Sequence, residues 1–249
     1  MRSIVKNSWR ETEDGWKAGL LLAEPGGFEE ITLTPGRDIS LEVASERRCT
    51  GFAPAPGERS PCPEFREIDS GSQCPECRGK DIYSGYVRGD TDTDLDGEFS
   101  VYLAQISREV KVGVTRTGNL PRRWIEQGAD YGTEIISNLS SAKALENEQR
   151  ISSEGTTERI NKKDKIQNPE NPAILRKKME NEDIDTEIVE VQEKTVYPRI
   201  ETDSFQRKGL FEGELKAVKG QIISNGRLAL GLTSGKAIRK PRQRGLNQF

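Results

Sequence analysis

The 249-residue sequence contains no histidine. That absence excludes Ser-His-Asp and Cys-His nucleophilic sites, imidazole-ligated zinc or haem, and an imidazole acid or base. Apolar residues are scarce as well: hydrophobic types make up 33% of the chain and charged types 32%. An average soluble domain carries roughly 45–50% apolar residues with glycine included, and about 25% charged. Several small cores in one or two domains are expected rather than one large core. The longest apolar run, Ala18–Ala23 with Gly19 inside it, is far short of the ~20 residues that span a bilayer. The first residues, Met1-Arg2-Ser3-Ile4-Val5-Lys6-Asn7, lack the apolar region of a secretory signal. Charge of one sign is also missing: 38 basic residues against 41 acidic give a net −3. No global field therefore points to a polyanion or a membrane. A cytoplasmic protein with no membrane partner is expected, its chemistry resting on Tyr, Lys, Arg, Asp, Glu and Cys.

Four cysteines stand out against this background. They follow the pattern Cys49-x12-Cys62-x11-Cys74-x2-Cys77, inside a stretch (44–80) that also holds five prolines and four glycines. The Cys74-Pro75-Glu76-Cys77 turn aims two thiolates at one point, and two more nearby complete a tetrahedral all-sulfur shell of the kind zinc favours. A segment with so little core needs metal binding to supply its folding energy. Arg47, Arg48, Arg78 and Lys80 would offset the charge of four thiolates. A redox Cys-x2-Cys pair and four unrelated thiols are the competing readings, and a redox pair would open a helix after a strand. A closed four-sulfur site is structural.

The remaining chain divides by pattern. An N-terminal β segment (1–48) contains the alternating strand Ile39, Leu41, Val43. An acidic linker (81–98) follows the cysteine module (49–80). Within it Asp92-x-Asp94-x-Asp96-Gly97 begins like an EF-hand loop but has Leu103 where the bidentate Glu belongs. Residues 99–195 form an α/β unit with a charged helical extension, in which Asn171-Pro172 caps a helix over Ala173-Ile174-Leu175. The C-terminal β segment (196–249) carries an Asn225-Gly226 hairpin signal and a basic tail with Lys236, Arg239, Lys240, Arg242 and Arg244. The Gly231–Ala237 run fails as a P-loop, because Ala237 stands where Ser or Thr must bind Mg²⁺.

The 99–151 segment carries the chemistry. Phe99, Val101 and Leu103 alternate with Ser100, Tyr102 and Ala104, and Val110, Val112 and Val114 alternate with Lys111, Gly113 and Thr115. Reversal at Ser107-Arg108 pairs residues whose numbers sum to 215, so Val101 faces Val114 and Leu103 faces Val112. The other face then sets Tyr102 opposite Gly113 and Ala104 opposite Lys111. A glycine there leaves the tyrosine ring and hydroxyl uncovered, with room for a ligand. A helix near Asn119–Gln127, a strand over Thr133–Ser137 and a helix from Ser140 or Ser141 follow, with Ala142, Leu145 and Glu146 on its buried stripe.

This order resembles the GIY-YIG nuclease family. Ser100-Val101-Tyr102 and Lys111-Val112-Gly113 stand at the two signature tripeptides, Asn119-Leu120-Pro121-Arg122-Arg123 at the arginine segment, and Ala142-x-x-x-Glu146 at the metal-ligand helix. The resemblance implies a metal-dependent phosphodiesterase acting on DNA or RNA. In it Tyr102 orients or deprotonates water, Arg123 neutralises the phosphate and Glu146 holds Mg or Mn. Ser100 replaces the first glycine and Lys111 the second tyrosine, with Lys111 as a base or phosphate clamp. A broader likeness is to a family of unknown function in archaea and bacteria. It combines a cysteine cluster with the strings Val101–Ala104, Lys111–Arg116 and Arg123–Ala129, and ends with Gly213-x-Leu215 and Lys219-Gly220-Gln221.

The expected architecture is α+β: a GIY-YIG-like three-stranded sheet with helices, a four-cysteine zinc module, and one small antiparallel β domain made from the two chain ends. Nucleic-acid cleavage, nucleic-acid binding without cleavage, and a protein-interaction or structural module remain as alternatives.

Overall fold

The computed structural model describes residues 1–84, 95–152, 156 and 160–239. Asp92 and Asp94 of the EF-hand-like run, and Lys240, Arg242 and Arg244 of the basic tail, lie outside the described residues. Strands β1 (Arg2–Thr12), β2 (Gly15–Glu24), β3 (Gly27–Thr32) and β4 (Asp38–Arg47) form most of one six-stranded sheet. Two late strands, β10 (Gly209–Glu214) and β14 (Lys236–Arg239), complete it in the order β10-β4-β14-β1-β2-β3. The two chain ends therefore share a sheet, with β14 antiparallel to both β1 and β4. Alternation decides which face is buried: Leu41 and Val43 of β4 join Trp9, Leu20, Leu22, Phe211 and Ile238 in the main core.

The C-terminal segment does not stay in this sheet, contrary to the single small β domain expected. Strands β9 (Phe205–Gln206), β11 (Ala217–Lys219), β12 (Ile222–Ser224) and β13 (Ala229–Gly231) make a separate sheet, ordered β11-β12-β13-β9. The physical reason is that these strands are apolar on both faces. Val218, Ile223 and Leu230 enter the main core, whereas Ala217, Ile222 and Ala229 pack on Ile166 and Ile200. The Asn225-Gly226 turn is also wider than its dipeptide signals. Ser224 pairs with Ala229, and the Asn225 Oδ1 atom accepts from Arg227 N (3.0 Å) and Leu228 N (2.9 Å), closing a four-residue loop.

The third sheet is built on β5 (Phe99–Ile106), with β6 (Glu109–Arg116) on one side and β7 (Tyr131–Leu139) on the other. A short fourth strand, β8 (Val189–Glu190), extends the expected three by pairing with Tyr131 and Gly132. The β5–β6 hairpin turns at Ser107 with the anticipated register: Val101 opposite Val114, Tyr102 opposite Gly113, Ala104 opposite Lys111. Every residue of β5 is buried, so both of its faces are covered. Val101 and Leu103 pack under α3 (Ser141–Ser152) and α4 (Ala173–Asn181) through Ala144, Ile151, Leu175 and Met179. Tyr102 and Ala104 face the main core, beside Trp124 of α2 (Arg122–Gln127).

Polar contacts bind these parts together. Asp130 and Lys219, each about 2% exposed, form an ion pair of 2.5 Å between the β5 sheet and β11. Asp130 also accepts the Ser107 N–H at 2.7 Å. The Tyr197 hydroxyl accepts from Ala18 N (2.9 Å) and donates to Leu33 O, fastening the start of the C-terminal segment to β2. Among the described residues no helix is long and apolar enough to cross a membrane.

Candidate functional site

Two places gather chemically capable side chains. The first is the cysteine module between β4 and the acidic linker. Its chain has little regular structure beyond the bridges Arg48–Glu67 and Phe52–Ser60 and the short helix α1 (Pro75–Lys80). Cys74 is the N-cap of α1 and Pro75 its first residue, which turns Cys77 back toward the other sulfurs. All four cysteines are buried and none is bonded to another. Their Sγ atoms lie within 4.8 Å of one another, so Cys49, Cys62, Cys74 and Cys77 could hold a metal ion such as zinc.

Backbone groups prepare the sulfurs for charge. Cys74 N–H donates to Cys49 Sγ at 3.2 Å. Burial pushes the Cys49 and Cys77 thiols up. Burial acts on Cys62 in the same sense, but the N–H groups of Arg66 and Glu64 and the neighbouring sulfurs bring it below the usual thiol range. Four thiols so enclosed, with N–H donors already aimed at them, fit an all-sulfur metal shell. Two of the flanking cations are engaged by carboxylates: Arg48 pairs with Glu67 at 2.9 Å and Lys80 with Glu76 at 2.8 Å.

The second place surrounds Tyr102. Its ring is wholly buried rather than uncovered. The space opposite Gly113 is taken by the tyrosine itself, since a Cβ on Gly113 would lie 2.4 Å from the Tyr102 hydroxyl oxygen. The glycine thus admits the ring, and leaves no ligand pocket there. Trp124 meets the ring edge-on, with centroids 6.4 Å apart. Gln127 Nε2 donates to the hydroxyl at 2.6 Å, and the Arg123 guanidinium also hydrogen-bonds it. Lys165 Nζ donates to the Gln127 carbonyl at 2.8 Å.

Charge at this point is mostly positive. Burial pushes the Lys165 ammonium down to about 8, and the nearby charges of Lys111, Lys219 and Arg123 act in the same direction. Burial raises the Tyr102 phenol, the Arg123 cation opposes that rise, and the Glu148 carboxylate adds to it. Tyr102 is therefore a neutral hydrogen-bonding group at ordinary pH. The structure brings Tyr102, Lys111 and Arg123 into one electrostatic neighbourhood, and adds Gln127, Lys165 and Glu148 to it.

Glu146 departs from its expected position. It is exposed, and the buried stripe of α3 runs through Ser141, Ala144, Leu145 and Ile151 instead of Ala142. At about 100° per residue, Glu148 falls at the centre of that stripe and Glu146 on the opposite side. Ala144-x-x-x-Glu148 satisfies the same spacing as Ala142-x-x-x-Glu146, displaced by two residues. Ile151, three residues beyond Glu148, is the sequence signal that separates the two registers.

Residues 36–226 match a family described as "Protein of unknown function (DUF2797)". No curated protein and no solved structure matches the chain.

Proposed function

The chain belongs to the DUF2797 family, and we propose that it is a zinc-stabilised nucleic-acid-binding protein that receives a phosphodiester at Arg123, Lys111 and Lys165. One observation carries this reading: Arg123 acts on the buried, neutral Tyr102 hydroxyl, Lys165 donates to the carbonyl of Gln127, which holds that hydroxyl, and Lys111 and Arg123 both bear on the Lys165 charge. A phosphodiester presents oxyanions to such a cluster, and phosphate contacts of this kind position a strand without reading its sequence. Arg123 supplies a planar donor fork, which suits two phosphoryl oxygens at once. Tyr102 fixes that fork by hydrogen bonding, and its raised pKa makes it a positioning group rather than a base. Zinc on the four cysteines would fold residues 49–80 and carry no reaction, because a four-sulfur shell has no open position.

A second reading, metal-dependent phosphodiester cleavage, is favoured by Glu148. Its carboxylate lies on the buried stripe of α3 and acts on the Tyr102 phenol through its charge. One carboxylate completed by substrate oxygens is an ordinary Mg²⁺ donor set. When bound, such an ion supplies Lewis-acid stabilisation to the departing oxygen. The likeness of the β5–β6 register and of the arginine segment to GIY-YIG nucleases supports both readings, although fold does not carry activity with it.

The test is binding of single- and double-stranded DNA and RNA over a salt series, with cleavage followed in Mg²⁺ and Mn²⁺. Arg123→Gln is expected to weaken binding by about 1–3 kcal/mol, as for loss of a charge-assisted contact. Cleavage lost in Glu148→Gln and retained in Glu146→Gln, with binding intact in both, establishes the second reading. Absence of binding by the wild type at low salt points to the protein-interaction alternative.

A further inference from the structure

A cavity of about 770 Å³ opens between β1 and the cysteine module, lined by Lys6, Thr50, Arg59, Gln73, Arg78 and Asp81 among others. Lys6 reaches it because of a β-bulge. The β1–β2 register shifts between Ile4 and Lys6, with Val5 as the extra residue. Strict alternation would put Ile4, Lys6 and Ser8 on one face. The inserted residue keeps Ile4 and Trp9 in the main core and turns Lys6 to the opposite side.

Lys6 is half-buried and, among the described residues, has no hydrogen-bond or ion-pair partner. Burial lowers its ammonium, the Glu126 carboxylate of α2 opposes that most strongly, and Arg122, Arg59 of the cysteine module and Arg123 act with burial. Glu126 is already paired with Arg122 at 3.2 Å and Arg123 at 3.6 Å. Asp81 is likewise occupied, accepting from Ala53 N (3.1 Å), Gln73 Nε2 (2.6 Å) and Tyr83 N (3.0 Å). A desolvated ammonium among guanidinium groups is unfavourable unless an anion completes it. Arg122 and Arg123 do not line the cavity, but their charges reach Lys6 at its edge.

We propose that this cleft is a second phosphate subsite, in which Lys6 and Arg59 hold the backbone of the same nucleic-acid strand whose neighbouring phosphodiester lies at Arg123. The inference rests on the function proposed above and extends it: the occupant is a strand of several nucleotides laid across β1 and the cysteine module. That module then has a ligand-facing side as well as a structural role.

Fluorescence anisotropy with a labelled single strand of about 20 nucleotides, over a salt series, tests it on the full-length, zinc-loaded protein. The variants are Lys6→Gln, Arg59→Gln, their combination, and Arg123→Gln. The combination is expected to lower affinity at least tenfold and to reduce the salt slope by roughly 1–2, one phosphate contact per cation removed. Lys6→Gln removes an unpartnered cation and is expected to keep or raise the melting temperature, so binding lost in that single variant is not lost folding; Arg59 also donates to Thr50 O (3.3 Å), and the melting temperature of the combined variant is measured beside its affinity. Wild-type affinity and slope in the combined variant, with Arg123→Gln still weakening binding, overturns the cleft and leaves the Arg123 reading standing. Weak binding in the combined variant with Arg123→Gln unaffected overturns the Arg123 reading alone. Stabilisation of the wild type by inorganic pyrophosphate, lost in the combined variant, with no oligonucleotide bound, assigns the cleft to a free oxyanion and overturns the strand.

Discussion

Gly113 lies directly across the β5–β6 ladder from Tyr102, close enough that a methyl group on it would overlap both the hydroxyl oxygen (2.4 Å) and the ring carbon bearing it (2.5 Å). Gly113→Ala is expected to destabilise the fold by about 1–3 kcal/mol, as overpacking of a tight core does. Tyr102→Phe should not relieve it, because the ring carbon is also too near. Tyr102→Leu should relieve most of it. Denaturant melts of the three backgrounds would reveal the coupling, and strict additivity would sink the argument.

The ion pair between Asp130 and Lys219 makes a second prediction. With both side chains about 2% exposed, Lys219→Met leaves an unpaired buried carboxylate and should cost about 3–5 kcal/mol. Adding Asp130→Asn, which can still accept the Ser107 N–H, should recover a large part of that loss. Equilibrium unfolding of single and double variants measures it.

Lys165 should make ligand binding sensitive to pH. Its pKa in the fold is lowered from 10.5 to about 8. The cost of burying its charge is therefore full below about 8 and is relieved as pH rises toward 10.5, so this group's contribution to stability increases across that window. Anion binding runs the other way, weakening as pH rises through about 8. Lys165→Gln should flatten the profile, and Lys165→Arg, which stays charged, should keep binding at pH 9 close to its value at pH 7. A profile indifferent to both substitutions would count against a role for Lys165.

Metal content gives the fourth prediction. One equivalent of zinc per chain is expected, and Cys74→Ser or a strong chelator should remove it. Apparent binding energies of structural zinc are on the order of 10–16 kcal/mol, so its removal should open residues 49–80 to proteases. The β5 sheet, whose apolar core draws on none of the cysteines, should resist digestion longer. Simultaneous loss of both regions would show that the module supports the whole chain.

Local pattern made some of this legible and hid the rest. The β5–β6 register could be read because a slip of one residue would set Val101 and Leu103 on the opposite face of the sheet from Val112 and Val114. The cysteine cluster was legible in composition, since nothing else in residues 44–80 could hold that segment. What alternation cannot say is which side chain fills the space beside a glycine, and at Gly113 the occupant is Tyr102. Two overlapping Ala-x-x-x-Glu registers on α3 look alike until the burial of Ala144 and Ile151 fixes the helix rotation. The split of the C-terminal strands into two sheets follows from contacts with Ile166 and Ile200, which no local window contains. The bulge that turns Lys6 outward is one residue in one strand, and only its pairing with β2 exposes it.

The position of β14 bears on the order in which the molecule can assemble. Its four residues lie between β1 and β4, and they follow every other strand among the described residues. Until they arrive, β1 and β4 each present a bare edge to the same gap. Pairings this remote close slowly, and bare edges invite strands from other molecules. Truncation just before Lys236 should therefore yield a chain that synthesises normally yet associates with itself, while a peptide spanning Lys236–Arg239, supplied in trans, should compete with that association.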